Sequence, residues 1–166
     1  MTLKSVLITG GTGFLGAAIA RAVSTKYRDC RLVVLDSKPP GDAHAVPNNA
    51  LYIAADITSE SDVVKAVAET KPQVIIHSAG MVGKLNLRYG RKEAKQIWNV
   101  NVTGTRNVIK AAKEAKAKAI VYTSSCAAVT DDLNSQFPNV DESWPTCHSS
   151  LPYGESKVIG LQIRTQ

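Results

Sequence analysis

The sequence predicts an α/β fold built on a doubly wound parallel sheet with strand order 3-2-1-4-5. Three observations lead there. Short β-branched apolar runs alternate with helix-length stretches, a glycine-rich turn joins the first run to the first helix, and 166 residues suit a single domain. With 44% hydrophobic and 20% charged residues, the chain is outside the collagen-like, coiled-coil, mucin-like and disordered classes. Aromatics make up only 5%, so the core must be mostly Val, Ile, Leu and Ala.

Taken in order, SVLIT (5–9) is a strand-like run stopped by glycines, and residues 13–27 read as a helix offering Phe14, Ile19, Ala22 and Val23 to one face. RLVVLD (31–36) is a second buried strand. The Pro/Gly stretch that follows, 37–49, admits no crossing helix. LYIAAD (51–56) is the third strand. Thr58 or Ser59 caps a helix to about Thr70, with Glu60 and Asp62 in its first turn, where the helix dipole favours acids. QVIIHSAG (73–80) is the fourth strand and its exit.

A long helix is expected from about Arg91 to Ala117. The run from Asn99 to Thr105 is poor helix material and predicts a kink. KAIVYTSS (118–125) supplies the fifth strand and its exit, and after a polar, proline-containing loop a last helix begins near Tyr153. In an open sheet of this order a ligand belongs at the carboxyl ends of strands 1 and 4.

The net charge is +6, and residues 84–118 hold ten Lys/Arg against Glu93 and Glu114. A nucleic-acid surface would interleave aromatics with that run, which has only Tyr89 and Trp98. Lysines 110, 113, 116 and 118 instead fit the solvated side of a helix whose inner side carries Val108, Ile109, Ala112 and Ala115. No nucleic-acid partner is expected.

Cys30, Cys126 and Cys147 are an odd set without metal-ligand spacing, read as free thiols of a reducing compartment. Cys147-His148 is read as loop and His77 as a packed strand residue, so no metal site is expected. No apolar run reaches a membrane-spanning length, and glycines at 10, 11, 13 and 16 break the signal-like stretch after Lys4. Cytoplasmic location is the default expectation. Asn101-Val102-Thr103 forms a glycosylation sequon inside a predicted buried helix.

The chemistry-bearing residues start with Gly10-Gly11-Thr12-Gly13-Phe14-Leu15-Gly16, which fits a pyrophosphate-cradling turn because it ends the first strand and opens the first helix. Asp36 follows Gly16 by 20 residues and ends the second strand, where a carboxylate accepts hydrogen bonds from adenosine ribose hydroxyls. It would repel a 2′-phosphate, so NAD is expected over NADP, with Lys38 softening the preference. Asp56, followed by Ile57, would meet the adenine amino group or serve a turn. Tyr153 and Lys157 stand four apart on one helix face. A phenol is a poor base at neutral pH, but a nearby ammonium and a cationic nicotinamide favour its phenolate, which could take a proton from an alcohol. Ser124 and Ser125 lie at the sheet's carboxyl edge, where a hydroxyl can hold the reacting oxygen.

TGGTGFLG (9–16), Asp36, HSAG (77–80), NVTGT (101–105), YTSS (122–125) and YGESK (153–157), in this order, resemble the extended short-chain dehydrogenases/reductases and their Rossmann fold. YTSS and DESWP (141–145) are similar to the 3β-hydroxysteroid dehydrogenase group, which includes the sterol-4α-carboxylate 3-dehydrogenases. The resemblance implies Tyr153 as catalytic acid/base, Lys157 on the nicotinamide ribose, Ser125 orienting the substrate oxygen and Asn101 near the nicotinamide and substrate. It also implies Ala79 and Gly80 along the cofactor, a sterol-like alcohol or ketone substrate, and a homodimer through the helices at 91–117 and 153–160. Extended members run to roughly twice this length, so the chain is expected to be an N-terminal portion. Rival readings are a nucleotide-sugar epimerase, a dihydroflavonol-type reductase and a non-catalytic nucleotide-binding module.

Overall fold

The computed structural model describes residues 3–84, 90–130, 136, 139–141, 143–146 and 149–163. Five parallel strands form one sheet: β1 (Ser5–Thr9), β2 (Arg31–Asp36), β3 (Leu51–Ala54), β4 (Val74–His77) and β5 (Ala119–Tyr122), in the order β3-β2-β1-β4-β5. The order expected from the sequence holds. The helices are α1 (Phe14–Lys26), α2 (Glu60–Thr70), α3 (Ala94–Trp98), α4 (Gly104–Glu114), α5 (Ala127–Thr130) and α6 (Pro152–Ile163). A π turn, Asn99–Thr103, joins α3 to α4.

The chain divides into two compact units, Met1–Ala79 with Asn107–Thr123 and Gly80–Arg106 with Ser124–Gln166. The first holds the sheet. Leu7, Ile8, Val34, Leu35 and Ile75 are fully buried, as a parallel sheet covered on both faces requires. On one face Val6 and Ile8 of β1 and Leu32 and Val34 of β2 pack with Ala20 and Val23 of α1. The register sets Thr9 beside Leu35 and His77, and His77 beside Tyr122, so the strands end along one carboxyl edge.

Several expectations need correction. The buried stripe of α1 is Gly16, Ala17, Ala20 and Val23, whereas Phe14 is 77% exposed and Ala22 is also exposed. Val23 is buried and Ile19 packs against the core as expected, while small residues let the start of this helix lie close to the strand turn and leave Phe14 outside. The long helix runs from Ala94 to Glu114 in three segments and is over before Lys116, whose φ of 55° is left-handed. A 3-10 turn, Asp42–His44, and the short α5 lie in stretches read as loop. Ser59 is the cap of α2, accepting from the Asp62 amide.

Val108, Ile109 and Ala112 of α4 are buried, while Lys110, Lys113, Lys116 and Lys118 are exposed. Lys110 pairs with Glu60 of α2. Cys30 is buried and Cys126 exposed, both as free thiols, and burial pushes the Cys30 thiol pKa up. Tyr89, Glu142, Cys147 and His148 lie outside the described residues. Among the described residues no helix is long and apolar enough to cross a membrane, and no cluster of ligating side chains could hold a metal.

Candidate functional site

Within the first unit the turn from β1 to α1 is set by close backbone approach. Gly10 has φ 66°, and a Cβ there would lie 2.6 Å from the Ala79 Cα. At Gly16 a Cβ would lie 2.1 Å from the Gly10 carbonyl oxygen, which itself accepts from the Gly13 amide at 3.1 Å. Only hydrogen side chains allow this turn to fold back against the helix. Gly13 caps α1 without a side-chain bond, and no acidic residue occupies the first turn. The opening amides of α1 thus face outward at the positive end of the helix dipole, a chemistry suited to an anion. Thr12 is buried in the turn, and Phe14 and Leu15 are exposed beside it.

Asp36 is held at this turn. Its carboxylate accepts from the Thr12 amide and the Lys38 amide, each at 3.2 Å, while the Thr12 hydroxyl donates to the Lys38 carbonyl at 3.1 Å. Each carboxylate oxygen keeps a further lone pair for a hydroxyl. An anion cradle with a fixed carboxylate one strand away fits a dinucleotide, and the glycines let the turn that forms the cradle pack against Ala79, Val34 and its own backbone.

Asp56 is exposed and accepts from the Thr58 amide at 2.8 Å, the turn alternative of its two readings. Ile57 is buried, and its carbonyl accepts from Asn107 Nδ2 at 2.9 Å. His77 is 1% exposed, and its Nδ1 lies 2.6 Å from the Thr9 hydroxyl, the packed role read from the sequence. That hydroxyl also accepts from the Ala79 amide at 3.4 Å, and Ser78 Oγ donates to the Thr9 carbonyl at 2.7 Å. The ends of β1 and β4 are therefore laced together beneath Gly10.

The second unit holds Tyr153, Lys157, Ser125, Asn101 and Gly80. Pro152 starts α6, where its missing N–H costs nothing. Tyr153 and Lys157 follow one turn apart, with Lys157 Nζ 5.8 Å from the Tyr153 ring centroid. Lys157 is only 5% exposed, and that burial pushes its ammonium down to about 8. A Cβ on Gly80 would lie 3.4 Å from both Lys157 Nζ and Asn101 Oδ1, so glycine leaves the space above the ammonium open. Ser125 is half-buried, and its Oγ accepts from the Ala127 amide at 3.2 Å at the start of α5, which packs against α6. The hydroxyl hydrogen can still be donated.

Asn101 sits in the π turn, a helix defect of the kind often found at functional sites. It is 1% exposed, its Oδ1 accepts from the Met81 amide at 2.7 Å, and its Nδ2 donates to the Met81 carbonyl and to Ser156 Oγ, both at 2.9 Å. Arg91 makes a bidentate ion pair with Glu155 at 3.0 and 3.1 Å. Sequence reasoning did not single out Ser156, Met81 or this pair, although Ser156 stands four residues after Pro152 and four before Gly160, on one buried side of α6. A groove of about 960 Å³ on the same unit is lined by Arg91, Lys95, Trp98, Arg106 and Ile159 among others, and by none of the five residues above.

Known proteins resemble the chain over most of its length. The NAD dependent epimerase/dehydratase family matches it over residues 6–166. The chain belongs to this family. Among curated relatives it is 34% identical to a decarboxylating sterol-4-alpha-carboxylate 3-dehydrogenase of Candida albicans over 152 residues, 87% of this chain and 40% of that protein. It is 30% identical to a putative UDP-glucose 4-epimerase of Methanocaldococcus jannaschii over 155 residues, 93% of this chain and 48% of that one. The chain thus spans less than half the length of these family members. Its fold is shared with the Bordetella bronchiseptica enzyme WbmG, crystallised with NAD and UDP, at a TM-score of 0.81 and 22% identity over 97% of this chain and 49% of that one.

Proposed function

We propose that this chain carries the nucleotide-binding and catalytic residues of an NAD-dependent oxidoreductase of 3β-hydroxysteroid or sterol type, which oxidises a secondary alcohol to a ketone. The observation that carries the reading is Tyr153 and Lys157 on one turn of α6, against which the helix opened by Ser125 packs. Identity to a sterol dehydrogenase over 87% of the chain favours the sterol class.

When bound, NAD supplies the hydride acceptor. Gly10 to Gly16 would hold its pyrophosphate at the opening of α1, Asp36 would accept from the adenosine ribose hydroxyls and disfavour a 2′-phosphate, and Ala79 and Gly80 would leave room along its path. Ser125 would donate its hydroxyl hydrogen to the substrate oxygen, fixing it for reaction. Tyr153 would act as the phenolate, its negative charge offset by Lys157, and would become the neutral phenol as it takes the alcohol proton. Lys157 would also donate to the nicotinamide ribose. Asp56 and Ile57 follow β3 in the turn to α2, where the adenine would rest.

A second reading, a nucleotide-sugar epimerase, is favoured by the 30% identity to the archaeal protein. It keeps the same proton transfer and returns the hydride to the other face of the sugar. An assay with NAD and either 3β-hydroxysterols or UDP-hexoses separates the two. Net NADH formation with a sterol alcohol is expected, sugar inversion without net NADH would select the second reading, and neither product would defeat both.

A further inference from the structure

Ser156 is 0% exposed, between the two residues assigned to chemistry, and its hydroxyl is fully engaged. A serine buried in a helix ordinarily returns its hydrogen to a carbonyl one turn back. Ser156 does so, donating to the Tyr153 carbonyl at 2.6 Å. Its oxygen is also used, accepting from Asn101 Nδ2 across 55 positions of sequence. The bond to Asn101 does nothing for the helix to which Ser156 belongs.

The inventory at Asn101 is equally complete. A primary amide has two hydrogens to give, and these go to Met81 O and Ser156 Oγ. Its oxygen takes the Met81 amide, so the side chain grips the Met81 peptide on both sides. With both hydrogens spent inside the protein and 1% exposure, Asn101 has no donor left for a ligand. The path therefore runs from Met81, directly after Gly80, through Asn101 in the π turn to Ser156, and ends on the backbone of Tyr153.

We propose that Ser156 is a positioning residue: its hydroxyl locks the first turn of α6 to Asn101, fixing the orientation from which the Tyr153 phenol and the Lys157 ammonium act. This assignment rests on the proposed oxidation at Tyr153, and it places Asn101 with Ser156 as a positioning rather than a catalytic group. Burial makes the lock stiff, because neither partner can exchange the other for water without leaving a buried polar atom unpaired.

Two measurements on the intact chain with Ser156→Ala, a one-atom deletion, test it. Amide hydrogen exchange needs no turnover. The Met81 amide is expected to exchange about tenfold faster or more than in the parent, with β1 and β4 amides unchanged, because freeing Asn101 loosens its grip. Unchanged Met81 protection would overturn the proposal. In steady-state kinetics kcat is expected to fall roughly tenfold or more with KM for NAD within about twofold, the pattern of lost orientation. An unchanged kcat, or a rise in KM alone, would overturn it as well. If the parent oxidises no alcohol, the proposed activity fails while the exchange experiment still decides the role of Ser156.

Discussion

Lys157 carries its ammonium 5.8 Å from the centre of the Tyr153 ring while being 5% exposed, so a charge beside the ring is kept at a cost to the fold. Burial lowers its pKa from 10.5 to about 8. Below pH 8 both folded and unfolded chains hold the proton and the cost is constant. Between about 8 and 10.5 the unfolded chain binds more protons, so stability rises with pH; above 10.5 the cost is gone. At about 1.4 kcal/mol per pH unit, the whole effect is about 3 kcal/mol. Denaturant melts of Lys157→Met should show a variant more stable than the parent at pH 7, the gap closing as pH rises through that window. A gap that is absent or that widens with pH would contradict the burial argument.

Tyr153→Phe keeps the ring and removes the proposed proton acceptor. Alcohol oxidation should fall by roughly 10²–10⁴-fold, the usual worth of general base catalysis. NADH fluorescence titration should give a Kd close to the parent's.

Asp36 is pinned by two backbone amides, so in the proposed NAD site its charge would stay where a 2′-phosphate would meet it. Asp36→Ser should weaken NADH binding and shrink the preference over NADPH by about tenfold, equivalent to about 1.4 kcal/mol. Titrating both dinucleotides against both proteins measures the shift.

Gly16→Ala would drive a methyl group to 2.1 Å from the Gly10 carbonyl oxygen, a backbone atom with no rotamer to yield. The expected loss is about 1–3 kcal/mol or more of stability, with dinucleotide binding lost because the cradle is displaced. Thermal unfolding with and without NADH checks both.

Thr9→Val removes the hydroxyl whose bond to His77 Nδ1, at 2.6 Å, is buried and which also accepts from the partly buried Ala79 amide. A loss of about 1–3 kcal/mol is expected in a denaturant melt.

The strands were legible because each is a short run of Val, Ile and Leu stopped by glycine, proline or a polar exit, as in SVLIT and RLVVLD. The weak helix formers around Asn101 announced a defect, and the structure makes it a π turn. Phe14 misled because size and apolarity say nothing of how closely a helix must approach its strand; the glycine and alanines at 16, 17 and 20 carried that information. The short α5 has too few residues for any periodicity to register. The grip of Asn101 on Met81 and Ser156 joins positions 20 and 55 apart, and no local pattern encodes such a meeting. The burial of Lys157 was hidden for the same reason, since what covers it comes from elsewhere in the chain.

The most direct test is a thermal melt of the chain alone, with NAD and with NADP. Ligand that binds only the folded state raises the melting temperature by mass action. A single cooperative transition raised clearly by NAD and less by NADP is the predicted result. A transition that NAD leaves in place, or that NADP raises more, would contradict the assignment of Gly10 to Gly16 and Asp36 to an NAD site.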